Sequence, residues 1–322
     1  MADRYSETFQ ELQHLARRVR ALYRIRPNIL ATLLYKLFLP SQRRGIVRVE
    51  GVGLLYIDPA SHLGQTILSK GAYEPETVAI FREHVKPGNT VFDIGANEGV
   101  MSACAATLVG ADGCVVAIEP QRRLLDVLEI NLALNSTGEY HIVHGAVSDR
   151  DDERVIISLF AEGNTGASSI VRKYRWSGKT ERVPTYTIER IAKSLNIERI
   201  DFVKIDVEGF EPEVVRALHP LFSTRRVGKV LVDYHASILQ TRGICSESVH
   251  QGIVERGYKA LLGSLAGGVR PIRSRVGLVS GCNAKSVASG CWPEPKHEAT
   301  YWRIRRGEKA RHRCQRVPRQ IA

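Results

Sequence analysis

Short apolar runs that alternate with helical stretches constrain this chain more than any other feature. Thr90–Ile94, Val115–Ile118, Ile142–His144, Phe202–Ile205 and Val230–Tyr234 are near-continuous apolar segments. Helical periodicity fills the intervals over Val100–Leu108, Arg122–Asn135, Ile188–Leu195 and Pro212–Leu221. A strand covered on both faces reads as an unbroken apolar run, and parallel neighbours need crossover helices. The pattern therefore predicts an α/β domain: a mostly parallel sheet with helices on both faces. Val155–Phe160 is a further strand, and a helix near Ser246–Arg256 leads into a strand at Tyr258–Leu262. Val47–Glu50 and Leu54–Ile57, joined by Gly51-Val52-Gly53, read as a hairpin.

Three regions follow: a helical extension over 1–44, the α/β domain over 45–281, and a basic, aperiodic, Pro-containing tail over 282–322 expected to be disordered. The net charge of +12 belongs to the ends, with +6 on residues 1–50, +7 on 282–322 and −1 on the rest. Basic ends read first as solvated surface, so they say little about a substrate, and no aromatic-rich basic stripe marks a nucleic-acid partner. Residues 5–39 read as helix, with Phe9, Leu12, Leu15, Val19, Leu22 and Ile25 at three- and four-residue steps and Pro27 as an interruption. Its apolar face is expected to cap the domain or a second copy; a helix carrying Arg17, Arg18, Arg20, Arg24 and Arg26 could instead make peripheral contact with a membrane surface. The six cysteines show no CxxC or Cys/His metal spacing, and Cys104 and Cys114 sit among small or apolar residues as buried thiols. With no apolar leader and no 18-residue apolar run, the chain is expected in the cytoplasm. Residues 161–180, rich in Gly, Ser, Thr and basic residues, are expected to form a mobile loop and substrate lid.

The chemistry gathers behind the first strand. Asp93-Ile94-Gly95-Ala96-Asn97-Glu98-Gly99 lies where a strand ends and a helix begins, and open α/β sheets bind ligands just beyond that end. Gly95 permits the turn, and Gly99 permits close approach of helix and ligand. The dinucleotide fingerprint G-x-G-x-x-G is absent, and the acid at Asp93 would repel a pyrophosphate. It suits the ammonium of a methionyl group, directly or through water. Glu119 ends the next strand, where a carboxylate can accept both hydroxyls of a ribose; small residues at Gly145-Ala146-Val147 after the third strand suit an adenine edge.

These residues resemble the FkbM family of methyltransferases. The likeness runs in order through Gly71-Ala72-Tyr73-Glu74-Pro75, the Asp93–Gly99 loop, Glu119-Pro120, Asn131–Asn135 and Ala146-Val147-Ser148-Asp149, to the distinctive Ile200–Glu211 block, and covers about 45–262. Gln121-Arg122, Thr187-Ile188-Glu189 and Asp233 depart from the family's usual Asn-Pro, Thr-Leu-Asp and Glu. The resemblance implies a Rossmann-like, seven-stranded class I methyltransferase sheet with S-adenosyl-L-methionine as donor. It also implies O-methylation of a hydroxyl on a sugar, glycan or other small molecule. The cofactor-binding set becomes Glu74, Asp93, Gly95, Ala96, Asn97, Gly99, Glu119, Pro120, Ala146 and Asp206.

A hydroxyl acceptor must lose a proton near the transferred methyl. Strand alternation puts Phe202, Lys204 and Asp206 on one face, with Asp206 at the C-terminal end. Asp206 is the first candidate to orient or deprotonate the acceptor, or else it pairs with Lys204 and shapes the loop. His235 is a second candidate base, and Glu208 and Glu211 are candidate substrate contacts. Asp206, Glu208, Asp233 and His235 could in principle hold a divalent metal, but no tight ligand spacing supports one and none is expected. The competing readings are an NAD-dependent oxidoreductase on the same kind of sheet, and a non-catalytic protein that binds adenosylmethionine or acts as a scaffold.

Overall fold

The computed structural model describes residues 2–22, 43–160, 163–174, 179–261 and 298–304. A long helix, Ala2–Leu22, precedes the hairpin β1 (Gly45–Val49) and β2 (Gly53–Ile57) and the helices His62–Lys70 and Pro75–His84. Then come β3 (Thr90–Ile94), helix Val100–Val109, β4 (Cys114–Glu119), helix Leu125–Ala133 and β5 (Glu139–His144). The short β6 (Ala146–Val147), β7 (Arg154–Ser158) and β8 (Thr180–Tyr186) follow, then helix Ile188–Ser194, β9 (Ile200–Ile205), helix Glu211–Ser223 and β10 (Val227–Tyr234). Helices Ala236–Thr241 and Ser246–Val254, then β11 (Tyr258–Leu261) and β12 (Glu298–Ile304), complete the order.

Five strands, in the order β10-β9-β3-β4-β5, run parallel as the apolar runs predicted. Alternation divides their side chains between two cores. Val91, Val115, Ala117 and Phe202 pack with the helices Pro75–His84 and Val100–Val109, the hairpin and the N-terminal helix. Phe92, Val116, Ile118, Val203 and Ile205 pack with the helices Ile188–Ser194 and Glu211–Ser223 on the other side. At the β10 edge the backbone of β12 runs antiparallel to β10, with β11 beyond it. That stretch falls inside the tail expected to lack regular structure, and the expectation is corrected there. Ala299-Thr300-Tyr301-Trp302 is a short run of mostly β-favouring residues that a sheet edge can pair. The rest of the expected tail lies outside the described residues.

The hairpin is tied to the sheet through two asparagines. The N–H groups of Leu54 and Tyr56 donate to Asn135 Oδ1 (2.8 Å) and Asn131 Oδ1 (2.6 Å). Asn131 Nδ2 in turn donates to the carbonyl of Glu98 in the glycine loop (2.7 Å). Buried backbone donors that no strand pairs are thereby satisfied, and the helix Leu125–Ala133 positions the loop that follows β3.

Leu12 and Ala16 of the N-terminal helix are buried, and Phe9 packs against the same core. Gln13 Nε2 donates to the carbonyl of Leu68, and Gln65 Nε2 to that of Ala16. The helix thus caps the domain, and the buried part of its apolar face is not open to a membrane. Its expected continuation to residue 39 lies outside the described residues. Among the described residues no helix is long and apolar enough to cross a membrane. Cys104 and Cys114 are buried and outside any disulfide, as expected.

Candidate functional site

A cavity of about 210 Å³ opens at the C-terminal ends of β3, β4 and β9. Gly95 forms its floor. Its φ is +85°, and a Cβ there would stand 1.9 Å from the carbonyl oxygen of Asp206, so no other residue fits without moving β9. Gly99, also at φ +85°, lets the helix Val100–Val109 start against Leu128. Asn97 takes the left-handed conformation at φ 51° between them. The loop is thus a cradle shaped by backbone, with Gly95 and Asn97 at the cavity and Ala96 and Gly99 behind it.

Glu119 ends β4 at the wall. Its two oxygens accept from the backbone N–H groups of Asn97 (2.7 Å) and Gln121 (2.8 Å). Burial pushes its pKa up to about 7, while those two donors pull the other way. The carboxylate is held rigidly, and each oxygen keeps a lone pair for a ligand hydroxyl. Pro120, Gly145 and Ala146 continue the wall, where the sequence placed the ribose and adenine edge.

Asp93 does not line the cavity. It is fully buried; Ser102 Oγ donates to its Oδ2 (2.6 Å), and Lys204 Nζ lies 3.7 Å from Oδ1. The parallel register makes Asp93 and Lys204 direct neighbours across β3 and β9. Of the two sequence readings, an ammonium contact made directly or through water, the geometry corrects the direct one: Asp93 pairs with Lys204 and anchors the first helical turn. Lys204 also reaches Asp206 Oδ2 at 3.0 Å. Burial alone would lower its pKa, but Asp206, Asp93 and Glu74 outweigh that and hold it well above the ordinary lysine value. Glu74, at the start of helix Pro75–His84, lines the cavity, and burial raises its pKa despite the attraction of Lys204.

The acceptor side is acidic. His235, at the end of β10, sits among three carboxylates: Glu211 Oε1 at 2.8 Å from Nδ1, and Glu208 Oε1 at 3.3 Å and Asp206 Oδ1 at 3.8 Å from Nε2. Burial would lower its pKa, but hydrogen bonds to Glu208 and Glu211 and the charge of Asp206 raise it to about 11. An imidazolium at neutral pH holds neighbouring carboxylates and does not take a proton, so the expectation of His235 as a base is corrected. Glu211 is fully buried behind the cavity and orients His235, which corrects its reading as a substrate contact; Glu208 and Asp206 line the cavity.

In the sequence Asp233 stood out as a departure at the fifth strand and as one of four residues that could in principle hold a divalent metal. It lines the cavity, its Oδ1 is buried without a hydrogen-bond partner, and burial together with Asp206 raises its pKa to about 7. A carboxyl group poised near neutrality inside a cleft has the properties of a general base. Its position at a strand's C-terminal end was the signal available in the sequence.

The loop expected as a lid folds over the cavity. Thr165 Oγ1 donates to Asn97 Oδ1 (3.0 Å), and Gln121 Nε2 donates to the carbonyl of Thr165 (3.2 Å). Ser168 Oγ donates to Gln121 Oε1 (2.9 Å), and Ser169 Oγ to the carbonyl of Glu208 (2.7 Å). A short helical turn, Thr165–Ala167, covers the cofactor wall. Glu98, two residues beyond Ala96, pairs with Arg44 at 2.7 Å, which links loop and N-terminal segment.

The donor set fits adenosylmethionine. The backbone cradle at Gly95 excludes side chains, Glu119 offers paired acceptors for a ribose diol, and the carboxylates of Glu74 and Asp206 face a space suited to a cation. The model of the Methyltransferase FkbM domain matches residues 93–248. The chain is 29% identical over 65 residues to protein-L-isoaspartate O-methyltransferase 1 of Arabidopsis thaliana, a stretch that is 20% of this chain and 28% of that protein's length. Among solved structures it is similar to a putative rRNA-methylase of Clostridium thermocellum (TM-score 0.41, 11% identity, 72% of this chain and 96% of that one). It is also similar to Aeropyrum pernix fibrillarin with natively bound S-adenosyl-L-methionine (TM-score 0.39, 12% identity, 82% and 84%). By this match residues 93–248 are a methyltransferase FkbM domain.

Proposed function

We propose that this protein methylates a hydroxyl of a small molecule or glycan, with Asp233 taking the hydroxyl proton. The observation that carries the reading is Asp233 itself: a cavity-lining carboxyl raised to about 7, with an unpartnered buried oxygen, at the acceptor end of the site. S-adenosylmethionine, when bound, supplies an electrophilic sulfonium methyl. Asp206 and Glu208 accept hydrogen bonds from the acceptor's other hydroxyls. His235 fixes these two carboxylates, and Glu211 fixes His235. Lys204 Nζ, 3.0 Å from Asp206 Oδ2, already occupies that carboxylate, which leaves proton removal to Asp233. The lid from 163 to 174 limits the acceptor to something that fits beneath it and excludes water. A wall of carboxylates also repels polyphosphate, which favours a neutral hydroxyl compound over RNA.

The test is transfer of a labelled methyl group from adenosylmethionine to a panel of glycosides and oligosaccharides, beside ribosomal RNA fragments. Transfer to a hydroxyl compound is expected, with Asp233→Asn lowering the rate by about 10²- to 10⁴-fold while cofactor affinity stays within a few-fold. Transfer to RNA alone, or an undiminished rate in the variant, would overturn the reading.

A further inference from the structure

At the end of the sheet away from the cleft, three groups of metal-binding type meet. Cys114 opens β4, Glu139 opens β5, and His141 stands two residues further on. The parallel register sets Cys114 beside Glu139 and Val116 beside His141. Residues two apart on a strand share a face, so all three side chains project on the same side. That side is the one covered by Ile191 and Leu195. Cys114 is fully buried and His141 is 6% exposed, while the Glu139 side chain keeps 17% of its surface open. His141 Nε2 lies 3.2 Å from Glu139 Oε1, and the thiol sulfur, carboxylate oxygen and ring nitrogen all fall within 4.8 Å of one another. Ligands at roughly 2.0–2.3 Å from a tetrahedral centre stand about 3.3–3.8 Å apart, so small side-chain adjustments would seat an ion between them.

We propose that Cys114, Glu139 and His141 bind a zinc ion, with water completing the tetrahedron from the exposed Glu139 side. The donor set decides the metal. A thiolate beside an imidazole suits a borderline-soft cation, whereas magnesium and calcium select oxygen donors. Cys114 binds as the thiolate and releases its proton to solvent. The linear sequence hides this site: Cys114 and His141 are 27 positions apart, and only the β4–β5 register joins them. The ion is structural. It lies about 16 Å along β4 from Glu119, too far to touch the reacting groups, and it pins the edge strand β5 to the sheet.

The experiment uses the full chain without a polyhistidine tag, loaded with zinc, freed of unbound metal, and analysed by inductively coupled plasma mass spectrometry. About one zinc per chain is expected, falling at least about tenfold in C114S and in H141A. C245S, at an exposed cysteine, keeps the wild-type content. Adenosylmethionine affinity stays unchanged throughout, so this result is independent of the proposed reaction. Cobalt substituted into the wild type shows a thiolate charge-transfer absorption, which decides the matter should either variant fail to fold. A zinc-loaded wild type that retains no metal, unchanged zinc in both variants, or bound cobalt without the thiolate band would overturn the proposal.

Discussion

Glu119 shows how one residue ties the cofactor wall to pH. Its protonated form is favoured by burial, because its pKa rises from 4.5 to about 7 in the folded chain. A raised carboxyl pKa contributes stability that is complete below the ordinary value and is lost as pH rises through about 7. Ligand hydroxyls donating to its oxygens favour the ionised form, so binding releases a proton. Adenosylmethionine affinity is therefore expected to rise with pH up to about 7 and then level off, measured by calorimetry between acid and alkaline buffers. Glu119→Gln should flatten that dependence as well as weaken binding; a slope retained in the variant would assign it to another group. The asparagine and glycine positions act differently, through backbone shape. Gly95 was legible in the sequence as a turn, but its tight fit against the Asp206 carbonyl belongs to the packing of β3 on β9.

Elements divide by how local their signals are. The five parallel strands were recognisable because burial on both faces leaves no alternation to interpret. β8 was missed: Thr180–Tyr186 carries Glu181 and Pro184 and follows a stretch of loop composition, and it becomes a strand by pairing antiparallel with β7. The lid was recognisable by composition alone, and its closed position comes from hydroxyls that find Asn97, Gln121 and Glu208. Thr165→Ala removes the contact to Asn97. Limited proteolysis should cut residues 161–178 faster in this variant, and KM for adenosylmethionine should rise several-fold with little change in the melting temperature. Equal cleavage rates would show that Thr165 does not hold the lid. The N-terminal helix was expected from its periodicity, and the choice between capping and membrane contact was settled for its buried face by Leu12 and Ala16.

At the scale of the molecule, the sheet supplies two cores and leaves charge at the margins. Asp93, Lys204 and Asp206 form a chain of alternating charge that runs from the buried interior of the sheet to the cavity wall. Ligand binding to such a site stabilises the whole fold by mass action. Adenosylmethionine at 100 times its dissociation constant should add about 2.7 kcal/mol to unfolding, seen as a raised melting temperature. NAD at the same concentration should leave the melting temperature unchanged; an equal shift with NAD would revive the oxidoreductase reading.

By itself the sequence determined the fold class, the glycine turn and the place of Glu119 at a strand end, because these rest on periodicity, turn chemistry and strand ends, all read over a few consecutive residues. Only the tertiary structure decided the roles of the charged groups. Asp93 is turned away from the cavity by Ser102 and Lys204, His235 is fixed as a cation by three carboxylates, and Asp233 is brought near neutrality by burial. A side chain's charge depends on its desolvation and its neighbours across strands, and neither is a property of the residues beside it in the chain.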